Sequence, residues 1–256
     1  MVLMHQVLRL VSRNLTATID KPFLIWQIIF PLVYIFVAGY AYTSIIESVD
    51  VGIVAVDYPA FIASGMIGFN VMNSSLIAGT IIWSDRRNGM FEQILVGPFT
   101  RAHYIASNIL TITMIGLMSA GIIFLASVLT VFSNAPISLP TIPYMVLGII
   151  LGSIFFGSLA IIVSIRMRST ESFQLTINTA FLFFAFVSTT FYPSQGVPDA
   201  LGKAFFVNPL TYVVDIIRFG LFASSGPLLL LEAVTLGAAS AVIFFVATLM
   251  LAKLNI

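Results

Sequence analysis

Between Ala102 and Ile165 the chain contains no Asp, Glu, Lys or Arg. A run of about 60 residues without formal charge cannot make a solvated surface, yet at 1.5 Å per helical residue it is long enough to cross ~30 Å of hydrocarbon twice. Ser133–Pro143, SNAPISLPTIP, supplies the turn between the two crossings through its prolines. Composition says the same of the whole: 59% of the 256 residues are hydrophobic and 8% charged, with mean hydropathy +1.08. That is too little polar surface to cover a soluble globule. The expected fold is an all-α integral membrane protein.

Reading outward from that run gives six spans, at about residues 23–44, 58–83, 104–132, 142–165, 172–192 and 233–252. In the first, Pro31 should kink the helix, and Trp26 stands where an interfacial aromatic belongs. Residues 1–21 come before this 22–256 transmembrane domain. They place Leu3, Val7, Leu10, Val11, Leu15 and Ile19 on one side and His5, Arg9, Ser12, Arg13 and Thr16 on the other, the pattern of a helix lying in the headgroup plane. A signal peptide cut near Gly39-Tyr40-Ala41 would also begin with basic residues, but the regular period and the later spans argue against it.

Six spans put Arg9, Arg13, Lys21, Arg86, Arg87, Arg101, Arg166, Arg168 and Lys253 on one side, leaving Lys203 and Arg218 on the other. Loops rich in Lys and Arg stay in the cytoplasm, so both termini are expected there. Glu47, Asp50 and Asp57 form an acidic loop that suits the outer side.

Two segments stand apart. Ser84–Arg101, SDRRNGMFEQILVGPFTR, has the make-up of a short helix in water, with Asp85 as a possible cap, Glu92 and Gln93 inside, and Gly97-Pro98 as the stop. Residues 193–226 are too apolar for an ordinary outer loop and read as re-entrant. Asn208-Pro209 looks like an N-cap followed by proline at the first helical position, and Thr211, Asp215 and Arg218 form one thin polar stripe. Asp215 and Arg218, three apart, would partly neutralise each other at headgroup depth.

The inventory narrows function. Without cysteine there is no disulfide or thiolate chemistry, and a scattered net charge of +1 gives no footprint for nucleic acid. Ion-coupled carriers usually keep an ionisable residue inside the membrane, whereas here every charged residue falls in a loop, a helix end or the outer segment. His5 and His103 sit at the border of the membrane, where a snorkelling role suits them better than proton relay. A phosphate-cradling G-x-x-x-x-G-K-[ST] loop is absent, and Gly196 to Lys203 approaches it with the wrong spacing. No cluster suits an intramembrane protease. The chain is expected not to be an enzyme and to bind no cofactor or metal itself. Gly148, Gly152, Ser153 and Gly157 read as close-packing positions. Polar residues in span two (Ser64, Asn70, Asn73, Ser74, Ser75, Thr80) and span five (Gln174, Thr176, Asn178, Ser188, Thr189, Thr190) could either join helices or line an amphiphile's route.

The island carries Arg87-x-Gly89-x-x-Glu92-x-Ile94-Leu95-x-x-Pro98, and the outer segment carries Phe191-Tyr192-Pro193, Pro198 and Asn208-Pro209-Leu210-Thr211-Tyr212 with Asp215 and Arg218. Together these resemble the R-x-G-x-x-E-x-L-L-x-x-P loop and the F-x-P … P … N-P-L-T-Y-x-x-D-x-x-R ending of the ABC-2 permeases, the membrane subunits of small prokaryotic exporters that include drug-resistance and lipo-oligosaccharide permeases. Tyr58, Phe61 and Gly65 resemble the Y-x-x-F-x-x-P-G start of span two, except that Ser64 stands where proline is usual. The resemblance implies a coupling helix, with Arg86, Arg87, Gly89, Glu92, Leu95 and Pro98 docking on a separate cytoplasmic ATPase that binds ATP and Mg. It also implies a dimer of permease subunits, most simply a homodimer, in a prokaryotic cell membrane, exporting a drug, lipid or lipid-linked glycan. A second class stays open: a non-transporting anchor or sensor that recruits a cytoplasmic partner through the same island.

Overall fold

The computed structural model describes residues 2–43, 45–46, 48–132, 135–195, 197–224 and 228–253. Met1, Ser44, Glu47, Ser133, Asn134, Gly196, Ser225, Gly226, Pro227, Leu254, Asn255 and Ile256, and the side chains of Val2 and Leu3, lie outside the described residues. The helices are α1 (Val2–Thr18), α2 (Lys21–Tyr34), α3 (Tyr40–Thr43), α4 (Tyr58–Arg87), α5 (Met90–Val96), α6 (Arg101–Thr130), α7 (Ile142–Arg166), α8 (Thr170–Phe186), α9 (Asp199–Val207), α10 (Pro209–Phe222) and α11 (Leu229–Ala252). A π-helical turn, Ile35–Gly39, joins α2 to α3. The described chain is thus a helical membrane protein, with one exception to its all-α character. The acidic loop folds as a small antiparallel hairpin, β1 (Ser48–Val51) with β2 (Val54–Asp57), pairing Ser48 with Asp57. Val49 and Val56 alternate inward to the core, and Gly52 takes the left-handed turn at φ 62°.

The long helices run up and down between a basic end, marked by Arg86, Arg101 and Arg166, and a hairpin end. α4 is the axis. Its face is buried nearly all round, against α2, α6, α7 and α10. Small residues let the partners close in. A Cβ added to Gly152 would come within 2.9 Å of Val213, and Gly148 and Gly157 lie equally tightly against Ile216 and Ile112, so this strip packs helices. Pro31 shows how sequence and packing meet. Lacking an N–H, it leaves the Gln27 carbonyl without its helical donor, and Asn70 of α4 fills the vacancy from 3.3 Å.

Among the described residues, five helical stretches of 18 or more residues are long and apolar enough to cross a membrane: Lys21–Thr43, Tyr58–Arg87, Arg101–Thr130, Leu139–Arg166 and Leu229–Ala252. The expected fifth span, 172–192, is corrected in its bounds: it is α8, which stops at Phe186, and its 17 residues reach about 25 Å, at the short end of what crosses a membrane. The stop has a cause distant in sequence: the Asn208 amide donates to the carbonyls of Phe184 (2.8 Å) and Val187, holding the chain out of the helix. α8 still bridges the two ends, since Phe173 stacks on Trp83 at the basic end while Thr189, in the turn that follows the helix, reaches Asp215 near the hairpin. Beyond it α9 and α10 meet at 82°, folding back at the hairpin end.

Candidate functional site

Two polar centres are built on this frame, one at each end. At the basic end, α4 runs on to Arg87, further than sequence placed it. Asp85 is therefore not the cap of the short helix. It lies buried in the last turns of α4, 2.5 Å from the Arg13 guanidinium and 2.9 Å from the Tyr104 hydroxyl. This ties α1, α4 and α6 together. Beside it Asn14, also buried, donates toward Asn108 at 3.4 Å and Thr111 at 3.5 Å. Leu10 packs into the apolar cluster with Phe91 and Tyr104, and Val11 is also buried, so α1 is clamped onto the bundle. Sequence reading missed this node, although a carboxylate directly before Arg86 and Arg87 at the end of an apolar run was a signal.

The short helix α5 begins at Gly89, whose φ of 67° favours glycine, and ends at the extended Gly97. Phe91 and Ile94 turn inward, with Phe91 edge-on to Tyr104 at 5.1 Å, and Leu95 is half-buried against the same cluster. Met90, Gln93 and Val96 face out, Val96 at 89% exposure. The Pro98 carbonyl accepts from Gln6 of α1 at 3.0 Å. The arginines do not belong to α5. Arg86 donates to the carbonyls of Ser164 (2.6 Å) and Ile165 (3.1 Å), capping the end of α7, and Arg87 lies 5.9 Å over Trp83. Glu92 faces a cleft of about 880 Å³ shared with Arg86, Arg87, Arg166 and Arg168. His103 is buried rather than snorkelling: it forms a capping box with Thr100 that starts α6.

At the hairpin end, Pro198 precedes α9, and Asn208 caps α10 by accepting from the Leu210 N–H at 2.9 Å. Pro209 opens α10, and the Tyr212 hydroxyl donates to the Phe206 carbonyl across the bend. Arg218 is enclosed by the protein, at 3% exposure. Its guanidinium donates to the Thr189 carbonyl (2.9 Å) and to Ser64 Oγ (3.2 Å), stands 3.9 Å over the Phe61 ring, and pairs with Asp215 at 3.5 Å. Ser64, at the position where proline was expected, is thus an acceptor for Arg218. Pro193 lines a cavity beside this pair.

Comparison with known proteins now bears on both centres. A family described as ABC-2 type transporter matches residues 5–222. The chain belongs to the ABC-2 type transporter family. It is also similar to "Putative transport permease ycf38" of Porphyra purpurea, 24% identical over 219 residues that cover 82% of this chain and 74% of that protein. An ABC-2 chain with five or six membrane-crossing helices is the multi-pass membrane subunit of a transporter, and the family implies an ABC ATPase as its partner.

Proposed function

We propose that two copies of this ABC-2 chain form the membrane part of an ATP-driven exporter of a hydrophobic or amphiphilic molecule, a drug, lipid or lipid-linked glycan. The basic end, with both termini, faces the cytoplasm of a prokaryotic cell, and the partner ATPase binds ATP and Mg there. One observation carries the reading: α5 is seated by Phe91 and Ile94, while Met90 (42% exposed) and Val96 (89% exposed) stand out at an end dominated by arginine. A bare apolar tip among charges is what a docking partner covers. A push on α5 would pass through Phe91 to Tyr104 and through the Arg13–Asp85 clamp to α1, α4 and α6 together. In this reading Glu92 and the arginines around its cleft set the electrostatic register of docking.

The test pairs Val96→Asp with Glu92→Lys in co-purified permease and ATPase. Val96→Asp should lower recovery of the ATPase about tenfold. Glu92→Lys should keep the complex but remove substrate-stimulated ATP hydrolysis and transport into inverted vesicles. Undiminished transport in both variants would refute α5 docking. Recruitment of the ATPase by the unaltered chain without any turnover would point instead to an anchor.

A further inference from the structure

The cavity at the hairpin end has an unexplained charge. It holds about 240 Å³ between β1, the turn after α8, α10 and the start of α11, and three carboxylates line it: Asp50, Asp215 and Glu232. Asp215 is answered by Arg218 and by the Thr189 hydroxyl at 3.3 Å. Arg218 is occupied in turn by Ser64, the Thr189 carbonyl and Phe61. Among the described residues, Asp50 and Glu232 have no cationic partner, although both face the same space. A second observation is independent of these charges. Ser224, 6% exposed, lines the cavity, and its Oγ has no hydrogen-bond partner among the described residues. A buried hydroxyl left empty costs about 1–3 kcal/mol unless something fills it.

The chemistry of the vacancy is specific. Among the described residues no three such side chains are spaced to grip one metal ion, so the cavity suits a larger cation. Two carboxylates and a hydroxyl are hydrogen-bond acceptors, matching the three N–H donors of a primary ammonium. A quaternary ammonium has none and relies on open aromatic faces, and the ring here, Phe61, is already covered by Arg218 at 3.9 Å. Next to Glu232 on α11, Leu230 (79% exposed), Leu231 (52%) and Val234 (60%) offer an aliphatic surface along which a tail can lie. We infer that this cavity binds the primary ammonium of an amphiphile, its chain running down α11. The inference does not rest on the exporter reading, and its test omits the ATPase.

The ammonium can come from a bilayer lipid headgroup or from a freely diffusing amine. Native mass spectrometry of the purified chain would compare dodecylamine with dodecyltrimethylammonium, and phosphatidylethanolamine with phosphatidylcholine. Dodecylamine should bind at least tenfold more tightly than its trimethylated analogue. Selective retention of phosphatidylethanolamine identifies a lipid site, and retention of dodecylamine alone identifies a free amine. Glu232→Gln and Ser224→Ala should each weaken that binding several-fold. Asp50→Asn, on the exposed hairpin, does the same without touching the bundle. Equal binding of the primary and quaternary amines, or unchanged binding in Asp50→Asn and Glu232→Gln, overturns the inference.

Discussion

α4 and α8 carry comparable sets of polar residues, and the fold uses them in opposite ways. On α4, Ser64, Asn70, Ser74 and Ser75 are at most 1% exposed. Asn70 donates to the carbonyls of Gln27 and Ser119 at 3.3 and 3.2 Å, and Asn73 donates to the Gln27 side chain at 3.3 Å, so α4 is stitched to α2 and α6. On α8, Glu171, Gln174 and Asn178 recur at i, i+3 and i+7 on one face, are exposed, and make no side-chain bond among the described residues. Groups that find partners inside a chain serve its folding, whereas the same groups aimed outward from an apolar bundle need water or another protein. Hydropathy cannot see this difference.

The sharpest way to break the contrast is to put a charge on each helix. Ser75 of α4 and Ser153 of α7 both crowd Gly116 of α6, and Ser75 is fully buried there, with no space for a longer side chain. Ser75→Lys should cost about 3 kcal/mol or more through overpacking and an unpaired buried charge, leaving little folded protein in size-exclusion profiles. Gln174→Lys should elute as the parent does. Recovery of well-folded Ser75→Lys would mean that the tightly packed seam is looser than the side chains indicate.

A smaller effect is expected from Asn70→Leu. It removes the donor from the Gln27 carbonyl, which Pro31 has already deprived of its helical partner, and should cost about 1–2 kcal/mol. Pro31→Ala restores a helical N–H to that carbonyl. Thermal unfolding in detergent should therefore show the loss from Asn70→Leu shrinking in the Pro31→Ala background, because the two changes act on one acceptor. Strict additivity would separate Asn70 from the kink.

These pairings explain what could be read before the structure. The helical membrane class follows from apolar runs and needs no partner to be known. The bend at Asn208-Pro209 is local too, since proline and an N-capping side chain act on their own neighbours. What was hidden depends on contacts across the chain. Asp85 looks like a cap until Arg13, 72 residues earlier, is brought beside it. α8 looks as though it runs on to Tyr192 until Asn208 takes its last carbonyls. Arg218 looks like one member of a local pair with Asp215 until Ser64 and Thr189 enclose it. The hairpin was missed because its alternation rests on only two buried valines, Val49 and Val56, in a segment read for its charge.

The smallest effect on stability is expected on α8, and there the comparison becomes a statement about assembly. Gln174→Leu with Asn178→Leu removes two exposed polar groups that make no side-chain bond among the described residues, so the melting of the isolated subunit should shift by no more than about 0.5 kcal/mol. If a second copy or the transport route lies against this face, the same pair should still depress substrate-stimulated ATPase activity several-fold. The chain has no cysteine, so single replacements report cleanly. Oxidation of Asn178→Cys in membranes should give a covalent dimer wherever two copies bring this face together, since a disulfide requires Cα atoms within about 7 Å. Ser75→Cys, enclosed by its own bundle, should give none. Cross-linking at Asn178→Cys alone places the α8 face between copies. A drop in activity without cross-linking places it on the route. A double-leucine variant with full activity and no cross-link in Asn178→Cys would leave these residues facing lipid and remove α8 from the proposed path.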